Sequence, residues 1–154
     1  MSVTDNLSAT AGVADLAAER QMLIATTGIA EEQVTSALGA GDLLAAQRLV
    51  RRVPVGESVV EAILTLVRSG RPEESEIAET RQHVAWGPGP RASQALMLAC
   101  RARALLQGRL APSIDDVVAL APPVLRHRMA LNFAARADGI TMAQLIDRLL
   151  APFA

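Results

Sequence analysis

Residues 87–108 read GPGPRASQALMLACRARALLQG, and this stretch decides the fold. Pro90 stands where proline favours the first turn of a helix, and Gly108 follows the apolar run as glycine does at helix ends. The stretch therefore predicts a helix over 90–107. Because its residues are apolar on nearly all sides, the helix is expected at the centre of a core or beneath a second surface.

The composition predicts an all-α protein. Hydrophobic residues make up 51% of the 154 residues and aromatic residues only 2%, so the core must consist of Ala, Leu, Val and Ile. Such a core suits packed helices better than a β-sandwich. The length fits one domain with a buried core, or one domain with a tail.

Apolar spacing and capping residues predict a small bundle of about six helices. Residues 1–12 are predicted to be a flexible tail, and residues 13–154 the helical domain. Residues 71–86 carry four glutamates and are predicted to be a connecting loop with a helical turn, and residues 129–134 are predicted to be extended. The remaining helices are predicted over 13–27, 42–52, 57–69, 114–121, 124–128 and 142–150. Asp42 and Thr141 are the predicted caps of two of them, and Pro122 and Pro123 are predicted to separate 114–121 from 124–128. A short helical turn is predicted at 31–38, and Gly39 and Gly41 are predicted to end it.

Several chemistries are excluded by residue type. All 15 basic residues are arginine, so the chain lacks the lysine that a phosphate-binding loop or a Schiff base requires. The single Cys100 lies in an apolar run and is predicted to be a buried small hydrophobe. His83 and His127 have no acid or cysteine at ligand spacing, so no metal site is expected. Ser93 is not in a nucleophile-elbow motif.

Arg91 stands out because it lies in the first turn of the predicted central helix. A helix N-terminus carries partial positive charge and normally attracts acidic residues. One interpretation is a solvated arginine after a Pro/Gly turn, and the other is an anion site shared by the helix terminus and the guanidinium. The second is favoured by the charge distribution, since residues 81–154 contain nine arginines and four acids.

The order of these segments resembles the C-terminal helical lid of MoxR-family AAA+ ATPases over about residues 17–150. GPGPRAS is similar to the family pattern G-A-S-P-R-A, with Pro88 and Gly89 where the family has Ala and Ser. LAPPVLRHRM at 120–129 is similar to the segment that closes the lid. The other segments of the resemblance are AAERQMLIATTG at 17–28, LLAAQRLVRRVPV at 43–55, LTLVR at 64–68 and GITMAQLIDRLL at 139–150.

The resemblance implies a function for Arg91. In the family, the arginine of this motif is the sensor-2 residue, which reaches from the lid to the γ-phosphate of ATP held by an α/β core. ATP and Mg are therefore expected only together with that core, which the chain does not contain, and the isolated chain is expected not to hydrolyse ATP. The implied partners are the core domain, neighbouring subunits of a ring that is commonly a hexamer, and proteins with von Willebrand factor A domains, which such ATPases remodel or mature in a chaperone-like manner.

Only about 16 residues precede the matching region, so the sequence is expected to be an excised lid, a reading frame that begins inside a longer protein, or a lone lid. A stand-alone helical interaction module is the alternative function, and an enzyme with an unrecognised site is a third. Nucleic acid is not expected as a partner, because net charge is −1 and few aromatic residues are present to stack on bases. No segment has the length of a membrane span or the pattern of a targeting signal, which predicts a cytoplasmic protein.

Overall fold

A computed structural model of the protein describes residues 15–27 and 37–153. Its contacts divide the chain into two compact units, Met1–Gly39 and Ala40–Ala154. In the first unit, helix α1 spans Leu16–Thr27, and the Asp15 carboxylate accepts a hydrogen bond from the Ala18 N–H at 2.8 Å, as an N-cap does. The predicted tail, the first two residues of the predicted helix and most of the turn at 31–38 lie outside the described residues.

The second unit is helical with one short β-ribbon, which confirms the predicted all-α class. The described residues contain eight α-helices in all, more than the six predicted. The elements after α1 are α2 Ala40–Arg52, α3 Glu57–Ser69, α4 Ala78–His83, β1 Val84–Trp86, α5 Pro90–Leu106, α6 Ile114–Leu125, β2 Ala130–Leu131, α7 Phe133–Ala137, α8 Met142–Leu150 and a final 3₁₀ turn Ala151–Phe153.

Helix α5 lies at the centre of the second unit, as its sequence predicts. It packs against α2, α3 and α6, and its buried side chains are small at three of four positions, which lets neighbouring helices approach closely. Cys100 is fully buried, and burial raises the pKa of its thiol to about 11. The thiol is therefore neutral at physiological pH and serves as a small apolar side chain. The buried face of α5 consists of Ala92, Leu96, Cys100 and Ala104.

The predicted helix break at Pro122 and Pro123 is wrong, because α6 continues through both prolines to Leu125. Each proline lacks the N–H that would bond to the carbonyl four residues earlier. Ala119, one of the two residues whose carbonyl loses this bond, is exposed to water. Ala121 and Leu125 are fully buried on either side of the prolines, so tertiary packing holds the helix together.

A segment predicted to be a loop and a segment predicted to be extended pair as two short strands. Val84 of β1 is opposite Leu131 of β2 and Trp86 is opposite Ala130, in an antiparallel ribbon with an irregularity between the pairs. The predicted loop 71–86 thus contains α4 and β1, and the predicted extended segment ends at Leu131 because Asn132 caps α7. The sequence prediction missed these elements because three-residue and two-residue strands carry almost no alternation signal.

The start of α2 also differs from the prediction. The helix begins at Ala40, so Asp42 lies within its first turn and Gly41 does not break it. An acidic residue in the first turn is favoured by the partial positive charge there. Among the described residues, no helix is both long enough and apolar enough to span a membrane.

Candidate functional site

Arg91 lies at the second position of α5, directly after Pro90. The cap residue Gly89 is extended, with φ −82° and ψ −178°, and provides no side-chain cap, and the first turn contains no acidic residue. Arg91 is exposed, whereas the next residue, Ala92, is fully buried. Within the described residues, the Arg91 guanidinium forms no hydrogen bond or ion pair. Pro90 has no N–H, and the Ala92 N–H donates to the Gly89 carbonyl at 2.9 Å. Among the described residues, this end of α5 therefore presents the partial positive charge of the helix dipole and the charge of the Arg91 guanidinium.

The loop before Arg91 packs tightly against the end of α3. A Cβ atom at Gly87 would overlap the Gly70 carbonyl oxygen and would lie 2.6 Å from the Arg71 Cα, both of which are backbone atoms. A Cβ at Gly70 would in turn lie 2.9 Å from the Pro88 ring. Pro88 is fully buried, whereas a Cβ at Gly89 would meet nothing within 4 Å. The loop is therefore closed on the α3 side and open at the cap of α5.

Arg71 connects this loop to α3 through a hydrogen bond. Its Nε donates to the Pro88 carbonyl oxygen at 2.9 Å, while its Nη1 donates to the Glu74 carboxylate at 2.8 Å. Arg68 pairs with the other oxygen of Glu74 at 2.8 Å. The hydrogen bond from Arg71 and the positive charge of Arg68 lower the pKa of Glu74, so this carboxylate is ionised at neutral pH.

The strand that leads into the loop is anchored from the other side by α7. The Asn132 N–H donates to the His83 carbonyl at 2.9 Å, and its side-chain amide donates to the Gln82 carbonyl at 2.6 Å. The buried His83 contacts the Asp138 carboxylate through Nε2 at 2.9 Å. The sequence spacing gave no indication of this pair, because its members are 55 residues apart. It fixes α4 against α7 and therefore fixes the start of β1.

The arrangement is suited to binding an anion. The positive end of a helix dipole and a planar guanidinium complement the oxygen atoms of a phosphate group. Among residues 15–27 and 37–153, no group of three or more His, Cys, Asp or Glu side chains is placed to hold a metal ion.

The sequence prediction located Arg91 correctly at an exposed helix start, but it missed Arg71. Pro/Gly turns and helix caps are local signals, whereas Arg71 acts on a carbonyl 17 residues away. Within the acidic segment 71–86, Glu74 pairs with Arg68 and Arg71, and Glu79 pairs with Arg148 at 2.7 Å. Nothing in the spacing of the glutamates distinguishes these two from their neighbours.

Comparison with known proteins gives concordant matches. Residues 77–149 match the family described as the AAA lid domain. The chain is 34% identical over 133 residues to the chaperone MoxR1 of Mycobacterium tuberculosis, a match that covers 86% of this chain and 35% of that protein. It is 36% identical over 112 residues to the uncharacterized protein YeaC of Bacillus subtilis, covering 71% of this chain and 32% of that protein.

A solved structure has a similar fold. The crystal structure of a candidate ATPase from Cytophaga hutchinsonii superposes with a TM-score of 0.73 and 25% sequence identity. The match covers 91% of this chain and 43% of that chain. This chain therefore spans about a third of the length of the curated relatives and less than half of the structural one.

Proposed function

Because this chain belongs to the AAA lid domains of the MoxR-like ATPases, we propose that Arg91 is its sensor-2 residue, which contacts the γ-phosphate of ATP bound by an α/β core. The observation that carries the proposal is that Arg91 is exposed at a helix N-terminus with no side-chain cap and has no partner among the described residues. An arginine held by an intramolecular ion pair would have to break that pair before it bound phosphate. Arg91 has no ion pair to break within the described residues, so its binding to phosphate does not carry that free-energy cost.

The lid contributes charge and geometry to the proposed reaction. Transfer of the γ-phosphoryl group to water spreads negative charge over its equatorial oxygens, and ATP with Mg bound in the core supplies that chemistry. Arg91 stabilises this charge from the lid side, and it does so most when the lid is closed on the core. Ala92 and the rest of the buried face of α5 lie in the lid core. Movement of Arg91 on contact with phosphate would therefore move α5 and the helices packed on it.

The proposal extends to the larger protein of which such a lid is part. Residues 13–154 act as the lid, the core domain and neighbouring ring subunits are its immediate partners, and ATP hydrolysis drives remodelling or maturation of client proteins in the cytoplasm, where ATP is abundant. Proteins with von Willebrand factor A domains are the client class that the family resemblance suggests. This activity requires the core, because the chain has no lysine with which to form a phosphate-binding loop.

The decisive experiment replaces the lid of a MoxR-type AAA+ protein by this chain and measures steady-state ATP hydrolysis. Arg91→Ala is expected to lower kcat about 100-fold, the loss typical of removing one preorganised group that stabilises transition-state charge. Arg136→Ala is the matched control, because Arg136 is also exposed but lies on α7. Its kcat should equal that of the unsubstituted protein.

Two outcomes would count against the proposal. Equal hydrolysis rates for the Arg91→Ala and Arg136→Ala proteins would remove Arg91 from the reaction. ATP hydrolysis by the isolated chain well above the rate in buffer alone would show that the active site lies within this chain. The second measurement needs no chimera, so the proposal remains testable if the chimera fails to assemble.

A further inference from the structure

We propose that Arg71 is a positioning residue for Arg91: its hydrogen bond to the Pro88 carbonyl sets the direction in which α5 begins. This inference rests on the proposed function of Arg91 and adds a residue outside the motif that carries the resemblance. The contact joins the end of α3 to the loop that precedes α5. It is made by a side chain that is 24% exposed, so water competes with it only partly.

The geometry of the loop explains why one hydrogen bond has this effect. Proline rings fix φ at Pro88 and Pro90, but they leave ψ of Pro88 and φ of Gly89 free. These two angles together set the orientation of the peptide plane between Pro88 and Gly89. Glycine adds no side chain to restrict them, and Gly89 makes no capping hydrogen bond with a side chain. The carbonyl of Pro88 is the acceptor on that plane, so the Arg71 bond determines its direction.

The packing of the loop does not replace this hydrogen bond. Gly87 lies against the backbone of Gly70 and Arg71, and the Pro88 ring lies against Gly70. These contacts fix how close the loop comes to α3, but van der Waals contacts carry little directional preference. A hydrogen bond weakens steeply away from its preferred angle, so it fixes orientation. A Cβ at Gly89 would meet nothing within 4 Å, so packing does not restrict the loop at this residue.

The Arg71 side chain is itself held in place by Glu74. One Nη atom donates to Glu74 while Nε donates to Pro88, and the rigid guanidinium plane couples the two bonds. Glu74 is held in turn by Arg68. The network thus extends from the exposed surface of α3 to the first residue before the α5 cap.

The first test uses the intact 154-residue chain without nucleotide. In Arg71→Gln, the ¹⁵N order parameters of Gly87, Gly89 and Arg91 are expected to fall from about 0.85, the value of rigid backbone, to below about 0.6. Arg68→Gln is the matched control, because it removes an arginine that pairs with the same carboxylate but does not contact the loop. In Arg68→Gln, the order parameters of Gly87, Gly89 and Arg91 should stay at the value of rigid backbone. Glu74→Gln removes only the charge that holds Arg71 and should have a smaller effect in the same direction.

The second test uses the lid-replacement protein and a double-mutant cycle with Arg91. Arg71→Gln is expected to lower kcat about 10-fold with little change in KM, because a misdirected Arg91 weakens an interaction made mainly in the transition state. In the Arg91→Ala background, the same substitution should have no further effect, since Arg71 acts through Arg91. A residue that merely stabilises the fold would lower activity by the same factor in both backgrounds.

The outcomes separate this inference from the proposed function. Unchanged order parameters in Arg71→Gln would overturn the positioning role, whatever Arg91 does in hydrolysis. Equal losses of kcat in the two backgrounds would also overturn it. A loosened loop in a protein whose Arg91→Ala variant hydrolyses ATP normally would instead overturn the proposed function of Arg91. Should Arg71→Gln fail to fold, Glu74→Gln tests the positioning role through the carboxylate that holds Arg71, and unchanged order parameters of Gly87 and Gly89 in that variant would overturn it.

Discussion

Asp116 is a buried carboxylate that joins the end of α5 to the start of α6. Arg109 donates to its two oxygens at 2.6 and 2.9 Å, and the Ser113 N–H donates at 2.8 Å, as in a capping box. Arg103 of α5 lies 3.3 Å away. The sequence predicts the capping interaction from local spacing, but not the two arginines, which approach from outside the Ser-x-x-Asp motif.

Asp116→Asn should destabilise the chain by about 2 kcal/mol, because it leaves two half-buried guanidinium groups without their counter-charge. The hydrogen bonds from Arg109 are the largest cause that lowers the pKa of Asp116 below its ordinary value of 3.8. A lowered pKa stabilises the folded state above that pH, and the contribution is lost as the pH falls through the folded-state pKa. Urea unfolding should therefore separate the variant from the unsubstituted chain at pH 6, and the difference should shrink as the pH falls below 3.8.

Asp115→Asn is the control for this prediction, since Asp115 is next to Asp116 in the sequence but is exposed. It should leave the free energy of unfolding within about 0.5 kcal/mol of the value for the unsubstituted chain. A pH-independent difference between the Asp116→Asn and unsubstituted chains would show that shape rather than charge accounts for the loss.

Gly87 and Gly89 make a second test at single residues, because they flank Pro88 but have different surroundings. Gly87→Ala would drive a methyl group into backbone atoms of Gly70 and Arg71, and overpacking of this kind costs about 2 kcal/mol. Gly89→Ala meets open space and replaces a glycine cap, which costs only about 0.5 kcal/mol. Thermal unfolding of the two variants should show the larger loss for Gly87→Ala. The reverse order would mean that the loop does not pack on α3.

At the scale of elements, the sequence identifies the long helices well and the short ones poorly. Helix α3 and the start of α5 lie where caps and prolines predict them, because those signals are local. The ribbon of β1 and β2 depends on pairing between residues 84–86 and 130–131, and no local pattern encodes such pairing. Helix α6 shows the opposite case, in which a strong local signal, two adjacent prolines, is overridden by burial of Ala121 and Leu125.

Pro123→Ala should stabilise α6, since it returns an N–H donor to the helix at an exposed position and creates no cavity. The helical gain is partly offset because alanine gives the unfolded chain more freedom, so the net gain should be about 1 kcal/mol. The measurement is the urea midpoint. Pro54→Ala is the control, because Pro54 is exposed in a turn where no helical bond is restored, and it should give no gain. A loss of stability in Pro123→Ala would mean that the prolines are required by the local backbone.

At the scale of the whole molecule, the described core lies within one unit. Every buried apolar side chain of the described residues falls between Val53 and Leu149. The sequence instead predicts a domain that starts at residue 13, with a first helix over 13–27 whose apolar positions are Leu16, Met22, Leu23 and Ile24. In the structure these four side chains are exposed. Helical spacing alone does not reveal whether a partner surface is present.

Deletion of residues 1–39 tests which boundary governs folding. Because the buried core cluster of the second unit consists of residues between Val59 and Leu149, a chain that begins at Ala40 should unfold cooperatively within about 0.5 kcal/mol of the 154-residue chain. Urea titration followed by circular dichroism measures this, and a chain that begins at residue 13 is the matched control. Equal midpoints for all three chains would place the folding unit at 40–154. A loss of more than about 1 kcal/mol confined to the shortest chain would support the domain predicted from the sequence, in which α1 contributes to the stability of the lid.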